Sequence, residues 1–116
     1  MVLHCCQFVH KKWGIRGLTI GQLTLIFIPL TDEHYKRTLN HEAIHRAQFK
    51  ECGGLIPTYQ IYRADRTRLM RDFSYDKRTA IRLTRFEQEA YNNAENLDYL
   101  KTRRRNEWLK YKTSTI

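Results

Sequence analysis

The five residues His41-Glu42-Ala43-Ile44-His45 constrain this chain more than any other stretch. Histidines four residues apart on an α-helix project from one face about a turn apart, so both imidazoles can reach a single metal ion. Glu42 lies between them at an angle that keeps it from being a third ligand but lets it reach a water beside the metal. Residues of these types at this spacing point to a hydrolytic zinc site, with His41 and His45 as ligands and Glu42 acting on water. Such a site keeps three protein ligands and one open position, so a further ligand has to come from elsewhere.

The flanks of the motif read as helix. Thr31 or Asp32 can cap its start by accepting an orphan backbone N–H, Glu33 suits the dipole there, and Gly53-Gly54 can end it, which predicts a helix over about residues 32–52. Tyr35, Leu39, Ala43 and Ala47 form one stripe, bordered by His41, Ile44, His45 and Phe49, which sets the histidines at the margin of the buried face. Upstream, residues 2–10 lack a helical period and read as a strand. Residues 15–20 and 23–28, rich in β-branched and apolar side chains, flank Gly21-Gln22 and predict a hairpin ended by Pro29.

Downstream, Pro57 suits a first helical turn, and Tyr59, Tyr62, Arg66 and Leu69 follow at helical spacing. Asp72, Ser74 and Asp76 favour a loop. Leu83, Phe86, Ala90, Asn93 or Ala94, Leu97 and Leu100 then recur every three or four residues and predict one long helix from about 84 to 111. The expected architecture is α+β, a single domain over 1–116. An N-terminal antiparallel sheet of two or three strands precedes three or so helices, the motif lies on the first long one, and 101–116 form a helical extension or tail.

The longest apolar run, residues 18–30, is broken by Thr19, Gly21, Gln22 and Thr24 and falls short of the ~20 residues a membrane span needs. It also lacks a signal-peptide pattern, so the chain reads as soluble and cytoplasmic. Three cysteines give no disulfide framework and read as reduced thiols. The formal charge of +9 is spread along the helical segments from Arg63 to Arg105. Arg103-Arg104-Arg105 fall where cations suit a helix dipole, so a solvated surface accounts for the charge and a nucleic-acid partner is not expected.

The extended pattern HExxHxxGxxH is not met, because Gln48 stands at the glycine and Glu51 at the last histidine; without the glycine turn, Glu51 stays on the helix and points away from His45. Phe86-Glu87-Gln88-Glu89-Ala90-Tyr91, on a later helix, offers two carboxylates. With HExxH on one helix and this motif on the next, residues 15–100 resemble the gluzincins, most nearly the minimal soluble gluzincins and the catalytic domains of CAAX-processing membrane proteases. The resemblance implies a zincin-like fold, Zn²⁺ on His41, His45 and Glu87, Glu42 as general base, and a peptide or protein substrate.

In that family's motif the Glu is followed three residues on by a small residue, here Ala90, and four on by an Asp that supports a ligand histidine, where this chain has Tyr91. Glu87 also fits a capping box with Thr84. Glu89 is the reserve ligand, but it shares a face with Asn92, Asn93 and Asn96 and reads as solvent-facing. Peptidases of this kind pair an exposed strand with the substrate, and residues 23–28 are the candidate. Tyr59, Tyr62, Tyr91 and His34 are candidate donors to an oxyanion. Two alternatives stand beside the peptidase: a non-catalytic module of the same fold binding an acidic partner such as nucleic acid, and a self-inhibited zymogen whose segment 101–116 fills its own cleft.

Overall fold

The computed structural model describes residues 1–113. In chain order it contains β1 (Val2–His4), α1 (Gln7–Trp13), β2 (Gly17–Ile20), β3 (Leu23–Ile26), α2 (Tyr35–Glu51), α3 (Leu55–Asp72), α4 (Lys77–Leu83), α5 (Arg85–Asn93), α6 (Tyr99–Thr102) and a 3₁₀ turn at Glu107–Lys110. The protein is thus a small α+β fold. No described helix is long and apolar enough to cross a membrane.

The β2–β3 hairpin forms where the residues predict it. Gly21, at φ 62, takes the first central position of the two-residue turn, which a type II′ turn reserves for glycine. The sheet differs from expectation in being mixed, with order β1-β3-β2 and β1 parallel to β3. The strand expected over 2–10 stops at His4, because its partner β3 runs only to Ile26, whose carbonyl accepts from Cys5 N–H. Beyond it Cys6 turns at φ 54 and residues 7–13 coil into α1.

Helix α2 packs against β2 and β3 on one side and α5 on the other. Its buried residues are Thr38, Asn40, Glu42, Ile44 and Gln48, in place of the expected stripe of Tyr35, Leu39, Ala43 and Ala47. The side chains of Asn40, Glu42 and Gln48 among them are hydrogen-bonded to other elements, which is the condition for burying them. Ile44, Ala90 and Tyr99 form a buried cluster between α2 and the C-terminal third.

The single long helix expected over 84–111 is broken. Asn40 Nδ2 donates to the carbonyls of Asn93, Ala94 and Asn96 and so satisfies the C-terminal end of α5 from outside. Arg103 is then drawn inward and Asn106 takes φ 58, so the chain folds back with Trp108 against Phe86 at 4.7 Å between rings. Tertiary contacts here override helical periodicity.

Candidate metal centre

His41, Glu42 and His45 lie in the middle of α2, and Glu87 lies in the first turn of α5. Ala90, fully buried between these helices, leaves room for their close approach. His41, His45 and Glu87 each offer a ligand atom, all within 4.8 Å of one another, and the group could hold a metal ion. His41 Nε2 and His45 Nε2 are 3.1 Å apart, and Glu87 Oε1 is 3.2 Å from the first and 2.5 Å from the second.

The surrounding hydrogen bonds decide which nitrogen of His45 carries a proton. Gln48 Nε2 donates to Phe86 O at 3.1 Å and to Glu89 Oε1 at 2.9 Å, both acceptors, which fixes the orientation of its amide. Gln48 Oε1 is therefore the atom 2.8 Å from His45 Nδ1, and that nitrogen donates. Nε2 is left with a lone pair aimed at Glu87 Oε1, a buried oxygen without a hydrogen-bond partner. Lone pairs converging this closely need a cation or a proton among them, so the residues fit a metal.

When a proton fills that role, burial works against the charged imidazole, but the Glu87 carboxylate and the Glu42 charge raise His45 from 6.5 to about 9. Burial also works against ionised Glu87, yet His45 and His41 hold it well below the usual carboxylate range. A raised folded-state value stabilises fully below the unfolded value of 6.5 and is lost as pH rises through about 9. Metal-free protein is therefore expected to lose up to about 3 kcal/mol between these limits, read as a falling Tm. A bound metal takes the same lone pair and displaces the proton, so the metal-loaded protein lacks this slope. Metal binding at pH 7 is then expected to release a proton, which calorimetry in buffers of different ionisation enthalpy measures.

Behind Gln48 lies a network that corrects two expectations. Glu89, expected to face solvent, is fully buried and accepts from Gln48, from Tyr99 Oη at 2.7 Å and from Arg103 Nε at 2.6 Å. Arg103, expected on a solvated surface, has a side chain 5% exposed and donates through Nη1 and Nη2 to Glu51 at 2.7 and 2.8 Å. Glu51 also accepts from Asn106 N–H. Burial opposes the charge on Glu89, but hydrogen bonds from Arg103, Gln48 and Tyr99 hold its pKa down. Support for His45 thus comes from a residue on its own helix, backed by buried charge. The signal was Gln48 itself, three residues after His45 at the position where the extended motif has glycine.

The capping box does not form. Thr84 Oγ1 donates to Ile81 O, Glu87 turns to the histidines, and Arg85 N–H at the start of α5 donates to Asp65 Oδ2 from α3. Glu89 stands apart from the His41, His45 and Glu87 group, its carboxylate already bound.

Glu42 is buried at the other edge of the site, its Oε2 3.8 Å from His41 Nε2. An ionised carboxylate only accepts, so Thr19 Oγ1 donates to Glu42 Oε1 at 2.9 Å. Thr19 then accepts from Thr24 Oγ1 at 2.9 Å, and Thr24 accepts from Arg46 Nη1. The hydroxyls thereby form a directed chain from a guanidinium on α2 to the carboxylate. Gly17 lies directly above: a Cβ there would come within 3.1 Å of Glu42 Cγ and of Thr38 Cγ2.

A cleft of about 1370 Å³ opens over these residues, walled by β2, α2, α3, α4 and α5. Residues 23–28, expected to present the exposed strand, contain β3, which is the central strand with β1 and β2 on its flanks. The edge strand beside the cleft is β2. Phe27 N–H donates to Arg16 O, so by antiparallel alternation Arg16, Leu18 and Ile20 face β3 with their backbone groups, and Gly17 and Thr19 turn theirs outward. Tyr59, Tyr62 and Tyr91 line the cleft; His34 does not, and pairs with Glu33 at 3.3 Å. Tyr91, standing where the family motif has Asp, lies edge-on to His41 with ring centroids 4.6 Å apart.

Residues 101–113 line no part of the cleft. They pack behind it through Arg103, Trp108 and the bonds from Gln88 to Lys112 O and Asn93 to Tyr111 Oη, so these residues do not fill it as the zymogen alternative expected. Residues 114–116 lie outside those described. No protein-family model, curated protein or solved structure matches the chain.

Proposed function

We propose that this protein is a zinc-dependent peptide hydrolase of gluzincin type, with a zincin-like arrangement of sheet over helices. The observation that carries the reading is the convergence of Glu87 Oε1 on two imidazole Nε2 atoms, with the His45 tautomer fixed by Gln48. His41, His45 and Glu87 would hold the ion. Zinc so bound supplies Lewis acidity, making a water acidic near neutral pH and polarising a carbonyl.

The chain's own groups then have distinct tasks. Glu42, oriented by Thr19, takes the proton of the attacking water and passes it to the leaving amine. The outward N–H and C=O groups of Gly17 and Thr19 pair with an extended peptide and fix its backbone without reading its side chains. Gly17 lets β2, and with it the paired peptide, lie close over Glu42, because it has no Cβ to press on that side chain.

Metal analysis of protein purified without affinity metal, followed by incubation with an unfolded protein substrate, tests the proposal. About one zinc per chain is expected, lost in His41→Ala. Glu42→Gln is expected to keep its zinc and lose hydrolysis by about a hundredfold or more. Zinc loss in Glu42→Gln, or undiminished hydrolysis, contradicts the role given to Glu42.

A smaller effect is expected at Thr19. Valine preserves its shape but removes the donor to Glu42, a bond to a charged group worth about 1.5–3 kcal/mol. Turnover is expected to fall roughly ten- to hundredfold in Thr19→Val at unchanged zinc content, and Thr19→Ser to restore most of it. Equal turnover in the valine variant argues that Glu42 needs no such support.

A further inference from the structure

Away from the metal centre, the walls of the cleft carry mainly positive charge. Arg16, Arg37, Arg63 and Arg82 line it, while its carboxylates are Glu42 and Glu87 at the metal centre and Glu95, which pairs with Arg37 at 3.5 Å. Among the described residues, Arg16, Arg63 and Arg82 have no carboxylate within salt-bridge distance. Arg82 is distinguished further by its seat. Its guanidinium carbon lies 3.9 Å over the Tyr91 ring, and that ring lies 4.6 Å from the His41 imidazole. A cation is thereby held one aromatic layer away from a residue of the metal group.

We propose that the substrate carries a carboxylate one or two residues from the scissile bond, and that Arg82 binds it; this rests on the peptide-hydrolase reading of the same cleft. An extended chain advances ~3.3 Å per residue, so a carboxylate side chain one or two residues from a carbonyl held at His41 comes within reach of a guanidinium stacked on the ring that borders that histidine. Stacking leaves the N–H edge of a guanidinium free for a charge-assisted, bidentate bond to a carboxylate, and restrains the side chain beforehand. Arg63, on α3, reinforces the positive potential. The carboxylate can belong to an Asp or Glu side chain or to a peptide C-terminus, since both present the same group.

Calorimetric binding to zinc-loaded Glu42→Gln protein tests the assignment without turnover. The probes are decapeptides alike except for Glu or Gln at one position, scanned across the centre and amidated at the C-terminus, together with short peptides ending in a free carboxylate or an amide. At one position, or at the free C-terminus, the carboxylate form is expected to bind at least tenfold more tightly, the pair that shows it identifying the source. Arg82→Gln is expected to remove the difference, Tyr91→Leu to reduce it and Tyr91→Phe to keep it, since the ring and not the hydroxyl seats the arginine. Equal affinities of carboxylate and amide forms, weak or strong, overturn the proposal, as does a preference that survives Arg82→Gln. A carboxylate preference in a protein that hydrolyses nothing would refute the peptidase while leaving Arg82 its role; hydrolysis without such a preference would do the reverse.

Discussion

Glu87→Ala protein is expected to bind zinc about a thousandfold more weakly than the parent and to lack hydrolytic activity. Loss of an outer partner of a metal ligand already costs ~10–100-fold, and Glu87 would be one of the three ligands and the only anionic one. The rest of the site cannot replace it: Glu42 is held toward Thr19, and Glu89 is bound to Gln48, Tyr99 and Arg103. Without Glu87 the His45 imidazole loses the carboxylate that raises its pKa, and burial, which lowers it, then governs. The raised value near 9 and the pH-dependent stability that follows from it are thus expected to vanish together in the metal-free variant. A competition titration against a chromophoric chelator, with melting curves from pH 6 to 10, reads both effects. A variant that keeps its zinc and loses only about 1 kcal/mol would assign Glu87 to helix capping after all, against the geometry at Thr84 and Asp65.

The second large effect is expected at Glu89, where sequence reasoning placed a solvent-facing residue. Its carboxylate is fully buried and opposes Arg103, whose side chain is 5% exposed. Removing one member of a buried, hydrogen-bonded ion pair costs about 3–5 kcal/mol, because the remaining charge has lost its solvent and part of its compensation. Glu51 still pairs with Arg103, which sets the expectation for Glu89→Ala at the lower end of that range. Gln48 also loses an acceptor, so its amide is freer to turn and the proton on His45 Nδ1 is less firmly placed. Zinc affinity is therefore expected to drop ~10–100-fold even though Glu89 stands outside the His41, His45 and Glu87 group. Urea unfolding of the metal-free variant measures the first effect and zinc titration the second, with Glu89→Gln separating lost charge from lost volume. A variant as stable as the parent would show that the network contributes no net stability, and unchanged zinc affinity would detach it from the metal centre.

The parts of this protein that its sequence determined are those whose physical cause is local. Helical spacing sets His41 and His45 on one face and Glu42 beside them. The turn at Gly21 sets the hairpin, because glycine there accepts the positive φ it needs. Glu87 was legible through its motif and the small residue Ala90. What escaped were pairings over long separations, for which neither period nor propensity carries a signal. Arg103 lies 52 residues from Glu51, Gln48 lies 41 from Glu89, and Asn40 lies 53 to 56 from the carbonyls that it satisfies. An arginine or a glutamate reads as surface until its partners are placed, since only a matched opposite charge makes burial tolerable. The polar interior of α2 was misread for the same reason. Strand order was also beyond local signal: β1 joins β3 as a parallel neighbour, which makes the expected edge strand central and leaves β2 beside the cleft. Local sequence thus set the spacing of His41, Glu42 and His45, and tertiary packing alone decided what surrounds them, because buried charges and strand edges acquire their partners only when distant segments meet.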